Sequence, residues 1–150
     1  MADLLYEGFD TYLGNRDNPA FDIACWWSAT DRSSRIRVKT TSNSSAVWTV
    51  KKAGGLFLDV QEDGDFVAIV DIANGTKDRR TYLVPTHTVV AALESDYAHY
   101  VSHPQANGKP RKAEQGMRCM RFYGFDKPDN QSFGYHAKFE PYLDAWDQLK

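Results

Sequence analysis

The sequence predicts an α+β fold (α/β in the broad sense), a mixed central sheet of four or five strands flanked by helices. Three observations lead there. Arg35-Ile36-Arg37-Val38-Lys39-Thr40 alternates strictly between polar and apolar residues, the period of a strand with one wet face. Asp65 to Ile72 is a β-branched run of the kind a central strand carries, while Val89, Val90, Leu93, Tyr97, Tyr100 and Val101 recur at helical spacing. The chain has 150 residues, 42% of them hydrophobic, which is enough to bury one core without disulfides. One domain over residues 1–150 is therefore expected.

The elements follow in order. Leu4, Leu5, Phe9, Tyr12 and Leu13 fall on one side of a helical wheel, so an amphipathic helix is expected over residues 3–13, stopped at Gly14. Asn15 to Pro19 are turn formers, and Phe21 to Trp27 then reads as a buried strand. After a turn over Ser28 to Ser34, the alternating strand places Ile36 and Val38 on one face and Arg35, Arg37 and Lys39 on the other. Ala46 to Lys51 reads as a short strand closed by Gly54-Gly55. Asp65 to Ile72 and Thr81 to Val84, joined through Asn74-Gly75, suggest a hairpin. Pro85-Thr86 opens the second helix with Thr86 as its N-cap. Residues 104–116 form a polar loop, Met117 to Phe122 an edge strand, and Glu140 to Leu149 a closing helix.

Composition narrows the functional classes. The net charge is only -2, so any binding to nucleic acid must come from a local patch. Cys25 and Cys119 lack the close spacing of a zinc or redox motif and read as buried reduced thiols. No apolar run reaches the roughly 20 residues needed to span a bilayer, and MADLLYEGFD has no signal-peptide core. A cytoplasmic protein with no membrane partner is expected.

The chemistry-bearing pattern is Phe21-Asp22-Ile23 followed by Arg35-Ile36-Arg37-Val38-Lys39-Thr40-Thr41. It resembles the Holliday-junction-resolvase-like branch of the PD-(D/E)XK nuclease superfamily, in which a hydrophobic-Asp-hydrophobic strand precedes one reading like I-(E/Q)-V-K-T. Tyr82-Leu83-Val84-Pro85-Thr86 and Tyr142-Leu143-Asp144-Ala145-Trp146-Asp147-Gln148-Leu149 are also similar to segments of such proteins. The resemblance is distinct over residues 1–93. It implies a restriction-endonuclease-like fold, a DNA or RNA partner, and a divalent-metal-dependent phosphodiester hydrolase. In that family the Asp and the acid or amide of the next strand hold Mg²⁺, which neutralises the phosphate and activates a water, while the Lys orients the attacking water. Asp22 and Lys39 match those roles. Glu7 matches an acid that the opening helix supplies in some members, so the implied metal ligands are Asp22 and Glu7 and the implied catalytic set is Asp22, Lys39 and Glu7.

Arg37 departs from the pattern, standing where the family has Glu or Gln. A fixed cation supplies no oxygen ligand and repels a metal ion. It is instead expected to pair with Asp22 or Glu7. Two rescues of catalysis stay open: another acid, Glu7 or Asp59, enters from a neighbouring element, or Arg37 binds the scissile phosphate itself. The alternative to a hydrolase is an inactive nuclease-fold protein that binds nucleic acid, or a protein-interaction regulator in bacterial or phage defence. A homodimer and a protein partner are compatible with either.

Arg35, Arg37, Lys39, Lys51 and Lys52 make a candidate basic groove for a phosphate backbone, against a solvated strand face as the plain alternative. Lys109, Arg111 and Lys112 form a second basic cluster, read as an ordinary exposed loop. His99 and His103 have metal-ligand spacing but no third ligand in sequence, so a polar helix face is expected. Trp26 and Trp27 must point to opposite strand faces, so only one can be fully inside.

Overall fold

The computed structural model describes residues 1–15, 18, 20–42, 45–50, 55–57, 59–61, 63–111, 116–122 and 134–150. Within them the elements are α1 (Ala2–Tyr6), β1 (Asp10–Leu13), β2 (Ile23–Trp27), β3 (Arg32–Thr41), β4 (Ser45–Thr49), β5 (Asp65–Asp71), β6 (Arg80–Pro85), α2 (Thr86–Ser102), β7 (Met117–Arg121) and α3 (Tyr135–Lys138). Two short 3-10 turns, Glu140–Tyr142 and Trp146–Leu149, end the chain.

Five strands form a mixed sheet in the order β1-β2-β3-β5-β6, and β4 pairs with β7 in a separate antiparallel ribbon. The mixed sheet flanked by helices agrees with the fold class expected from the sequence. Among the described strands only β3 and β5 are parallel, joined by a crossover whose described residues include β4 and no helix. Their register sets Arg35 beside Asp65 and Ile36 beside Phe66.

β5 lies inside the sheet, between β3 and β6, and both of its faces are apolar. Val67 and Ile69 join Tyr82, Val84, Val89, Leu93, Trp48 and Met120 in one core, under α2 and the ribbon. Phe66 and Ala68 join Leu4, Phe9, Ile23, Ile36 and Leu149 in a second core on the other side of the sheet. The alternation of β3 is realised in part: Ile36 is buried in the second core and Arg37 and Lys39 face the ribbon side, but Val38 is exposed, Arg37 is buried, and the strand begins at Arg32, inside the turn expected over Ser28 to Ser34. Among the described residues no helix is long and apolar enough to cross a membrane.

Three expectations need correction. The opening helix stops at Tyr6, and residues 10–13 form edge strand β1 paired with β2. Gly8, at φ 89°, turns the chain between them, which lets Leu4 and Phe9 both reach the core while Tyr12 and Leu13 stay exposed. Gly14 ends β1, where a Cβ would lie 2.6 Å from the Phe21 carbonyl oxygen. The closing helix is interrupted: Asp144 adopts φ 47°, its N–H bonds the Thr81 carbonyl at 2.8 Å, and Leu143 bridges to Tyr82. Attachment to β6 wins over helical propensity there. In α2 the N-cap is Pro85, and the buried stripe is Thr86, Val89, Leu93 and Asp96, with Tyr100 left at the flank.

Candidate functional site

Asp22 precedes β2 by one residue, so it faces away from buried Ile23 and toward the side of the sheet occupied by Arg37. Its N–H donates to the Ile36 carbonyl at 3.0 Å, and its carboxylate accepts the Val38 N–H at 2.7 Å. That clamp ties the start of β2 to the middle of β3. Arg37 and Lys39, two apart on β3, share this face, and β4 stands opposite. Asp22, Arg37, Lys39, Asn18, Trp48 and Phe57 thus come together around one cavity of about 300 Å³.

Lys39 is half-buried, with its ammonium 5.7 Å from the centre of the Trp48 ring. It forms no ion pair with a described residue. Arg37 is 8% exposed and lies 5.3 Å from the Phe57 ring. Its Nη1 is 3.3 Å from a carboxylate oxygen of Asp65.

Asp65 organises both arginines and is a site residue that the sequence reading did not single out. Arg35 grips it through Nε at 2.7 Å and Nη2 at 2.9 Å, and the Gln61 N–H donates to the same carboxylate at 2.9 Å. Burial pushes the Asp65 carboxyl up, but the Arg35 and Gln61 hydrogen bonds and the charges of Arg35 and Arg37 outweigh it. The carboxyl is held below its ordinary range. Arg35 also pairs with Asp59 at 2.9 Å. The expected partners of Arg37, Asp22 and Glu7, are therefore replaced by Asp65, and the expected nucleic-acid contact Arg35 is committed to two acids. The local signal for Asp65 is weak: an acid, set off by Gly64, at the head of the apolar run Phe66 to Val70.

The other expected residues lie elsewhere. Glu7 caps α1 on the Ile36 side of the sheet, where it accepts from Lys150 at 3.5 Å and lines a separate cavity with Asp3, Arg79 and Asp144. Glu7 and Asp22 are not brought together as metal ligands, and Asp59 is held by Arg35. Lys51, Lys52 and Lys112 lie outside the described residues. Trp26 is exposed and donates to Asp31, while Trp27 packs on Phe9 with ring centres 4.9 Å apart.

The cavity offers Mg²⁺, among the described residues, one carboxylate flanked by two cations. Among the described residues no three His, Cys, Asp or Glu side chains gather. This donor set does not fit a divalent-cation site, because Arg37 and Lys39 repel the ion that Asp22 would attract. What the arrangement can do is hold an anion against aromatic walls.

Comparison with known proteins identifies no family: no family model matches the chain, and no curated protein matches it.

Proposed function

We propose that this protein binds nucleic acid through the Lys39 cavity and does not cleave it. The observation that carries the reading is the Lys39 ammonium, half-buried in a concave site beside Trp48 and without an acidic partner among the described residues. Lys and Arg contacts to phosphate dominate nucleic-acid affinity, and aromatic walls add stacking. Arg37, fixed by Asp65, supplies a second positive charge to the cavity at little further ordering cost. The resemblance to PD-(D/E)XK nucleases supports the same substrate class, with the metal-dependent step lost at Arg37.

A second reading keeps the Mg²⁺-dependent hydrolase, because Asp22 and Lys39 share the cavity in the way the resemblance asks. One experiment separates the two. The protein and its Lys39→Ala variant are incubated with duplex, branched and single-stranded DNA and with RNA, with Mg²⁺, Mn²⁺ or EDTA, and binding is followed at several salt concentrations. The expected result is salt-dependent binding without cleavage, with the slope against log salt reduced in the variant by about 0.7–0.9 for each phosphate that the lysine no longer neutralises. Cleavage abolished both by EDTA and by Lys39→Ala would establish the hydrolase instead. Retention of no nucleic acid would sink both, leaving a protein-docking role for the exposed Tyr12, Leu13 and Trp26 near the β1 edge.

A further inference from the structure

Two cavities flank the β4–β7 ribbon. One is the Lys39 cavity. The other, of about 310 Å³, opens between the C-terminal half of α2 and β7, where Asp96, Tyr97, Tyr100, Arg118, Cys119 and Arg121 line it. Val47 lines the first cavity and its cross-strand partner Cys119 lines the second; Thr49 and Met117 repeat the relation one pair further along. Cross-strand partners project from the same face of a ribbon, so both cavities border one surface. The strip between them is two strands wide, at about 5 Å per strand. From the opposite face Trp48 lines the first cavity and Arg118 the second, while Ala46 and Met120 are buried beneath the ribbon.

The second cavity is built from planar groups in a stack. Arg118 sits 3.5 Å over the Tyr97 ring, Tyr97 stacks on Tyr100 at 6.3 Å with 25° between planes, and Arg111 sits 4.0 Å over Tyr100. Tyr100 is 49% exposed. The acids nearby are already used: Asp96 accepts from the Tyr135 hydroxyl, and Glu94 pairs with Arg118 at 3.2 Å. Among the described residues Arg111 keeps its positive charge without an acidic partner, and the Tyr100 beneath it stays about half exposed.

We infer that this second cavity is a base-binding subsite for a single-stranded nucleic acid that crosses the ribbon from the Lys39 cavity, an inference that rests on the nucleic-acid reading above. Charge selects a polyanion, and continuity with the Lys39 cavity across one pair of strands selects a ligand that repeats its anionic group at short intervals. Aromatic stacking selects an unpaired strand, because a duplex keeps its base faces stacked on one another.

The test uses the full chain and fluorescein-labelled dT8, with a duplex of the same length, read by fluorescence anisotropy. The single strand binds more tightly than the duplex, and Tyr100→Ala weakens it roughly 5- to 150-fold, the range for removing one base–aromatic stack. Tyr100→Phe, which keeps the ring, stays within about twofold of the parent. Photo-cross-linking of an iodouracil-bearing strand to the parent protein maps to Tyr97 or Tyr100. Binding that falls with Lys39→Ala but not with Tyr100→Ala overturns the subsite and leaves the nucleic-acid reading standing, as does a duplex bound as tightly as the single strand. Binding of neither probe overturns both.

Discussion

Neighbouring residues of β3 are buried by two different means. Ile36 enters an apolar core beside Phe66 and Ile23, where any well-shaped hydrophobic neighbour serves. Arg37, one residue on, is nearly as buried, and among the described acids its partner is Asp65, which it shares with Arg35. Burial on the Ile36 side is non-directional, and on the Arg37 side it is conditional on a partner. Removing Asp65 therefore leaves two guanidiniums in a partly desolvated site without their main counter-charge. Asp65→Ala is expected to cost about 3–5 kcal/mol in denaturant unfolding, against about 2–5 kcal/mol for the cavity left by Ile36→Ala.

Acid sharpens the contrast. The Asp65 carboxyl is held below the ordinary range of about 3.9, so its contribution is fully present above pH of about 4 and is lost as pH falls through the depressed folded value. The stability gap between the parent and Asp65→Asn should therefore narrow as pH is lowered from 5, whereas the gap to Ile36→Ala should not change. A gap for Asp65→Asn that is independent of pH would refute the ion-pair account.

The same contrast explains what could be read from the sequence. The alternation of β3, the apolar run of β5, the β5–β6 hairpin and α2 are local patterns, and each was legible. The split of residues 3–13 into α1 and β1 was not, because Leu4 and Phe9 satisfy helical spacing equally well in either arrangement, and Gly8 decides the outcome only through tertiary packing. The closing segment failed for a similar reason, since Asp144 is held by the Thr81 carbonyl of a distant strand. At the site, Arg37 and Lys39 were legible because strand periodicity puts them on one face, and Asp22 was singled out by the motif resemblance. Asp65 was missed because its pairing with Arg35, 30 residues away in sequence, depends on the parallel register of two strands joined by a crossover, which no local pattern encodes.

A second buried acid behaves in the opposite way. Asp96 has no guanidinium bonded to it among the described residues; burial pushes its carboxyl up, only partly offset by the Tyr135 hydroxyl and by Lys138 and His99. A raised folded value means that its contribution is present at low pH and is lost as pH rises through that value. Tyr135→Phe removes the hydrogen bond that favours the ionised form and should cost about 1–3 kcal/mol. That cost should be larger at pH 7 than at pH 4, because the charged carboxylate is the form left unsatisfied. Equal costs at the two pH values would mean that Tyr135 contributes by packing against Phe122 and Phe139 rather than through Asp96.

The smallest expected effect compares the two thiols. Cys25 lies in the Ile36-side core, and burial pushes its thiol up to about 11 despite a hydrogen bond from the Ser34 backbone and the charge of Arg32. Cys119 is also raised by burial, but it is half-buried on the open face of the ribbon. At pH 8 a thiol with a value near 11 is ionised in roughly one molecule per thousand, so Cys25 should react with a disulfide reagent only on unfolding. Cys119 should react slowly in the native protein. Because Val47 and Cys119 are cross-strand partners between the two cavities, a single strand of nucleic acid lying across the ribbon should slow that reaction further. Cys119 labelling unaffected by a saturating single strand would place the bound chain elsewhere, even if the Lys39 cavity holds one of its phosphates.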